Sequence, residues 1–569
     1  MTAVFKHCNK KLLLCYALIC PFATVTSTAF AMSLQPIIDV GLTGDGRAFV
    51  TTTAAAVIIA CLSELSFYIE NIIKNGVVIS YTKNLRIHYF RTFFQQDIAR
   101  FLEKDSAEYL SKLTVDAEVI GQKYCESMLR LYQSLWSLAI SSVCIASARW
   151  ELAIYVLVIS CISVNLPRLF QGKANASEQD YLESSSAHIK LAQESIRNYL
   201  VIRLFKLRPS QLEQYEQAVS AVERRDNTRK KRAFAVDAAA GAISSIGFIL
   251  VIALCMVFVL QGKLSVGYTM SVSQLLGGIQ FPFEILPGYL VAYRSGRDLY
   301  WTNEAELQKD VKAEGGKTLR LTPTDNRMEI NQVSFSYNTD HPAILDGVSL
   351  SLDLKKKYAV VGKSGSGKST LAKIVMGLLE PSCGAVWLNG VPLGEIDKSS
   401  LYDVIAYQDQ SASFFNGTIK ENIVLGEQLP ENTWRQIITA SCLDGLLDKL
   451  PEGEFAVIEE NGKNISGGEA QRICLARCLA RRPAFIIFDE IAAALDTQNA
   501  AAIEKSILSL ENTGILQITH RIDEENMRQY DSIFVLKDGR IAEQGTWDEL
   551  VAQRGEFCRL LIHSSEPAI

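Results

Sequence analysis

The sequence predicts a membrane protein of two parts: an all-α half with six bilayer-spanning helices, then an α/β half built around a phosphate-binding loop. Three observations predict it. The 569 residues are 48% hydrophobic, which is high for a soluble chain of this length. The apolar residues are segregated, with long apolar runs confined to residues 1–295 and an ordinary soluble composition beyond. The stretch "YAVVGKSGSGKSTLAKIVMGLL" from Tyr358 reads as strand, glycine loop and helix. With 57 basic and 62 acidic residues the net charge is −5, so no global basic character points to nucleic acid. The 13 cysteines include no C-x-x-C pair and no metal-type His/Cys cluster. They read as packing residues in a reducing compartment, with Cys474 and Cys478 four apart on a helix.

The first element, "KKLLLCYALICPFATVTSTAFAM", imitates a secretory signal through Lys10, Lys11, an apolar run and Ala29-Phe30-Ala31. A cleaved signal would carry the phosphate-binding half across the membrane. The segment is therefore read as a retained first span, about 11–32, kinked near Pro21. Further spans lie at about 48–73, 131–149, 151–170, 238–261 and 267–293, each near the roughly 20 residues a bilayer requires. Connections after the first, third and fifth spans are short; residues 74–130 and 171–237 are long and charged. Lys83, Arg86, Arg91, Arg100, Lys104 and Lys112 lie in the first long connection. Arg203, Lys206, Arg208 and the run Arg229-Lys230-Lys231-Arg232 lie in the second. Their charge places both connections and both termini in the cytoplasm. The basic run reads as an anchor beside anionic lipid rather than a nucleic-acid site. Helical periodicity persists through both connections, so the spans are expected to extend into a cytoplasmic stalk. Glu64 and Glu284 lie inside spans, where acids are costly. Each is a candidate for meeting a cationic or polar substrate, or else a residue of a wet membrane edge. Pro282 and Pro287 flank Glu284 and are expected to break the sixth span locally.

A Gly-, Pro- and Thr-containing linker, 309–326, separates the membrane domain, 1–308, from the nucleotide-binding domain, 327–569. In the glycine loop, Gly362, Gly365 and Gly367, with Ser364 among them, let backbone fold closely around phosphates. The helix N-terminus after the loop adds its dipole. Lys368 would neutralise β/γ-phosphate charge and Ser369 would offer Mg²⁺ a hydroxyl, with Thr370 completing the motif of a P-loop NTPase. The strand "AFIIFDE" is apolar from Phe485 to Phe488 and delivers Asp489 and Glu490 at its end. Asp489 suits a Mg²⁺-linked carboxylate, and Glu490 suits the group that orients or deprotonates attacking water. The cofactors implied are ATP and Mg²⁺. A further phosphate-binding pattern, "NISGGEAQR", occupies residues 464–472.

This order of glycine loop, Ser-Gly-Gly signature and Asp-Glu strand, behind six spans, resembles an ABC transporter half-molecule of the exporter type. The resemblance covers nearly the whole chain and implies several roles. Tyr337 matches the aromatic that stacks on adenine, and Gln408 the glutamine that senses Mg²⁺ and γ-phosphate. His520 matches the histidine that contacts γ-phosphate, and Glu490 stands as the catalytic base. Ser466, Gly467 and Gly468 match the signature that reaches ATP held by an opposite subunit. The family's commoner residue after them is Gln, whereas Glu469 brings a negative charge toward a polyanion. Asp496 matches a loop crossing to the partner domain, although its usual serine is Ala493 here. Glu460 matches a loop acid that contacts the membrane helices. Residues 112–120, "KLTVDAEVI", and 195–203, "SIRNYLVIR", resemble the two coupling helices.

The resemblance implies an ATPase that exports a substrate across a bacterial inner membrane, with its nucleotide-binding domain in the cytoplasm. It implies a homodimer, or a heterodimer with a second ABC half-transporter. The alternative is an exporter-fold importer of a siderophore or vitamin-like substrate. A soluble-type ABC ATPase of DNA repair or translation, and a regulatory membrane protein without transport, fit the six spans less well. No peptidase segment is read before the first span, so leader cleavage is not expected. Peptide, lipid, drug and siderophore remain open as substrates.

Overall fold

The computed structural model describes the chain apart from residues 1, 97, 99, 100, 102, 103, 105, 310–315, 320, 322–325, 338–341, 460, 461, 492–496 and 566–569. Side chains at 2, 3, 163–175, 240, 284, 497–499 and 563–565 also fall outside the description. Arg100, Glu460, Ala493, Asp496 and the side chain of Glu284 therefore lie outside the described residues. Two compact units are present: Met1–Phe94 with Lys104–Val311, and Gln95–Glu103 with Lys312–Ile569.

The first unit is helical. After a short α1 (Thr2–His7) come α2 (Lys10–Thr43) and α3 (Gly46–Phe93). Their turn is chemically specified. Gly44 takes a left-handed conformation at φ 80°, and the Asp45 carboxylate accepts from the amides of Arg47 and Ala48. Helix α4 (Ser106–Ala148) contains two π turns, Lys112–Asp116 and Gly121–Glu126. Helices α5 (Trp150–Arg197), α6 (Tyr199–Leu204), α7 (Arg208–Leu260) and α8 (Val266–Lys309) complete the unit. Helices α2, α3, α4, α7 and α8 are long and apolar enough to cross a membrane, and α5 is apolar over Trp150–Ile162. Large apolar side chains such as Leu18, Ile58, Val143 and Leu260 point outward, as lipid-facing residues must.

The prolines do not behave as expected in span six. Helix α8 continues through Pro282 and Pro287 without a break. A proline orphans the carbonyl four residues earlier, which for Pro282 is that of Gly278. The Ser137 hydroxyl of α4 donates to it at 2.8 Å. The same helix serves span one, which likewise stays unbroken: Tyr132 OH donates to Ala17 O, the carbonyl orphaned by Pro21, at 3.0 Å. Side chains of α4 thus replace two missing backbone donors, and the helices continue.

The first coupling-helix expectation is also corrected. Residues 112–120 form no separate element; they lie within α4, with Lys112, Ala117 and Ile120 buried in the unit's own core. Lys112 donates to Glu108 and Glu306 there, at 3.0 and 2.6 Å. Residues 195–203 do straddle a break. Helix α5 ends before Asn198; Ile196 in its last turn and Leu200 and Leu204 of α6 are exposed.

In the second unit, β1 (Arg327–Phe335), β2 (Leu345–Asp353), β4 (Cys383–Leu388) and β5 (Val391–Pro392) form an antiparallel sheet in the order β2-β1-β4-β5. The main sheet has the order β12-β11-β3-β10-β9-β6. Its strands are β3 (Lys357–Val361), β6 (Ile405–Gln408), β9 (Phe485–Asp489), β10 (Gly514–Ile518), β11 (Ser532–Lys537) and β12 (Arg540–Gly545). All are parallel except the edge strand β12. Strand β9 is buried along its whole length, which explains its unbroken apolar run: both faces of a parallel sheet are covered. A small ladder pairs β7 (Gly417–Thr418) with β8 (Val457–Ile458). Helix α9 (Lys368–Val375) lies against β9, while α10 (Glu431–Ala440) packs on α11 (Gly467–Ala480), which in turn meets β6. The end of the linker is stitched down within this unit. Lys317 exchanges backbone bonds with Glu395 and Asp397, and Leu319 N donates to Ser400 Oγ at 3.0 Å.

Candidate functional site

The glycine loop runs from the carboxyl end of β3 to the N-terminus of α9. Its glycines are sterically required at two places. A Cβ on Gly362 would collide with the Leu536 carbonyl, and one on Gly367, at φ 102°, would meet Leu345 and Ile344. Gly365 is also left-handed, at φ 80°, while Ser364 is exposed and Thr370 buried. Lys368 is buried, and its ammonium donates to the carbonyls of Gly362 and Lys363, both at 3.1 Å. Burial lowers its pKa, opposed by the charges of Glu490 and Asp489. Ser369 Oγ donates to Asp489 Oδ1 at 3.0 Å, and Tyr407 OH donates to Asp489 Oδ2 at 3.3 Å. Burial raises the Asp489 pKa above the usual carboxylate range, only partly countered by the Ser369 bond.

Beyond Asp489 the chain turns sharply, and Glu490 adopts φ 53°, a left-handed conformation that a side chain disfavours. Its Oε1 lies 2.7 Å from His520 Nε2, and its Oε2 accepts from Gln410 Nε2 at 2.8 Å. Ser369, Asp489, Glu490 and His520 are thus assembled at the carboxyl ends of adjacent strands. Gln408 is turned elsewhere. Its Nε2 donates to Gln471 Oε1 at 2.7 Å, while its own Oε1 is buried without a partner among the described residues. Ser369 Oγ and the Asp489 carboxylate are paired hard oxygen donors of the kind Mg²⁺ takes, and the orphaned Gln408 oxygen is of the same type.

Ser466 is the N-cap of α11. The Glu469 carboxylate accepts from Ser466 N at 2.8 Å, and Ser466 Oγ accepts from Glu469 N at 3.4 Å. This is a capping box, so the glutamate folds back onto its own helix start. Gly467 and Gly468 form the first turn. Among the described residues no hydrogen bond joins this signature to the chain's own glycine loop. Tyr337 is exposed beyond the end of β1, edge-on to Phe335, with exposed Cys383 on the neighbouring strand. Glu64 is exposed on α3.

Sequence reasoning missed Gln410, Tyr407 and the two hydrogen bonds from Gln408 Nε2 to Gln471, to its Oε1 at 2.7 Å and its backbone carbonyl at 3.2 Å. It also missed Glu70 and Lys74 of α3, both buried, with Glu70 Oε1 lacking a hydrogen-bond partner among the described residues. The Ser466-x-x-Glu469 spacing was a legible capping signal; Gln410 carries no sequence signal at all.

Residues 345–493 match the family described as ABC transporter, and residues 13–283 match the ABC transporter transmembrane region. The ATP-dependent lipid A-core flippase of Chromobacterium violaceum is 26% identical, over 98% of this chain and 96% of the flippase. The pediocin PA-1 transport/processing ATP-binding protein of Pediococcus acidilactici is 27% identical, over 95% of this chain and 75% of its own. The structure of a bacterial Atm1-family ABC exporter with ATP bound shares the fold. Its TM-score is 0.84 at 21% identity, covering 98% of this chain and 99% of that one. Both halves of the architecture are thereby accounted for, and the chain belongs to the ABC transporter family as a multi-pass, exporter-type half-transporter with one ATP-hydrolysing domain.

Proposed function

We propose that two copies of this half-transporter pair head to tail and use ATP to move an amphipathic lipid across a bacterial inner membrane. The observation that carries the reading is the convergence of Ser369, Asp489, Glu490 and His520 beside the glycine loop. In it, Lys368 and the loop amides bind the phosphates, Glu490 accepts a proton from water, and His520 holds the γ-phosphate. Mg²⁺, held by Ser369, Asp489 and Gln408, would neutralise charge between the β- and γ-phosphates. The second copy's signature closes the site. The exposed apolar residues around α6 give its nucleotide-binding domain a surface to rest on. A lipid substrate is favoured by the lipid A-core flippase name that recurs among the relatives. The domain limits 1–308, 309–326 and 327–569 belong to the same proposal.

The test is Glu490→Gln in proteoliposomes carrying fluorescent lipid A. ATP binding is expected to persist while turnover and lipid translocation fall by roughly a hundredfold or more, within the contribution of a positioned base. Wild-type turnover in that variant would remove Glu490 from the role.

A further inference from the structure

Each carboxylate oxygen of Glu490 faces one donor. His520 Nε2 takes one at 2.7 Å, and the Gln410 amide takes the other at 2.8 Å. An ionised carboxylate has further lone pairs to offer, so what the two donors fix is its direction, and any turn toward a nucleophile works against both contacts. The two donors answer to different events. His520 is the group expected to meet γ-phosphate, so nucleotide in the same chain would draw it away. Gln410 is tied instead to α11, the helix that the signature begins. Its backbone carbonyl accepts from Gln471 Nε2 at 2.8 Å, and Gln471 Oε1 in turn accepts from Gln408 Nε2 at 2.7 Å. Strands β6 and β9 run parallel with Gln408 opposite Phe488, so the segments that leave their ends, with Gln410 and Glu490, start side by side.

We infer that Gln410 is a positioning residue that holds Glu490 in this orientation and opposes its turn toward water, and that displacement of α11 withdraws it through Gln471. Release of the base then requires two conditions, nucleotide at the glycine loop and movement of the signature helix. The inference rests on the reading of Glu490 as the base. It assigns to Gln410 an inhibitory part in the ATP cycle, opposite in sign to that of the groups around it.

Basal ATPase of the full-length protein in lipid nanodiscs tests the sign. Gln410→Leu removes the donor, and Gln410→Glu replaces it with a repelling charge. Each is expected to raise kcat roughly three- to tenfold, the range of one net hydrogen bond, with KM for ATP unchanged. Gln410→Lys, which keeps a donor and adds attraction, is expected to lower kcat. Gln471→Leu cuts the link through which α11 withdraws Gln410 and should lower kcat, and adding Gln410→Leu to it should restore the rise. Reduced or unchanged kcat in Gln410→Leu and Gln410→Glu alike would overturn the holding role. Glu490→Gln separates the two readings. If it abolishes turnover while Gln410→Leu gives no rise, only the holding inference falls; if it turns over normally, the assignment of the base falls and the holding role falls with it.

Discussion

Asp489 is 2% exposed, and its pKa lies above the ordinary carboxylate value chiefly because of burial. A carboxyl whose folded pKa is raised contributes stability that is complete below its unfolded pKa, near 4. That contribution is lost as pH rises through the native value, so above that value ionised Asp489 stabilises the fold less than its protonated form does. Asp489→Asn mimics the protonated form and keeps an acceptor for Ser369. Differential scanning calorimetry without nucleotide should show the variant unfolding at a higher temperature than the wild type, while its ATPase activity collapses. An equal or lower unfolding temperature would contradict the strain assigned to Asp489. Such residues were legible from the sequence because phosphate chemistry demands a Lys, a hydroxyl and a carboxylate at set distances from a glycine loop. Gln410 was not, since its contact exists only because β6 was folded beside β9. Gln408 was legible by type, yet its partner on α11 depends on how two elements distant in sequence are packed.

Single elements repeat that contrast. A glutamate after the signature looked electrostatically awkward, but the local helix start uses it: Glu469 closes a capping box with Ser466. Glu469→Gln retains an acceptor for Ser466 N and should leave stability within error of the wild type. Glu469→Ala loses it and should lower the unfolding free energy by roughly 1 kcal/mol, measured by chemical denaturation of the detergent-solubilised protein. If Ala is as stable as Gln, the box does not hold this helix. The six apolar runs were legible because membrane solvation is crude and demands length and apolarity alone. Whether a proline would break a span was not, because the answer lay in Tyr132 and Ser137 of another helix. The π turns of α4 were equally hidden, so residues 112–120 passed for an independent helix when they are part of a longer, buried one.

For the molecule as a whole, the proposed reading has one chain supply two unlike half-sites, each carrying the residues that reading requires. The glycine-loop side has Lys368, Asp489, Glu490 and His520, and the signature side has Ser466, Gly467 and Gly468 on a capped helix. Self-pairing would therefore leave neither site degenerate. Native mass spectrometry of the chain expressed alone should find a dimer whose ATPase activity scales with the dimer population. A monomer that gains activity only with a second gene product would replace the homodimer by a heterodimer. The broad architecture was legible from hydropathy and motif order. The bonds that pin Lys317 to Glu395 and Asp397, and Leu319 to Ser400, were not, because they join the end of the linker to residues far downstream. Anyone transplanting this engine onto another transporter would discard those bonds by cutting the gene just before β1, so the transferred segment should begin upstream of Lys317.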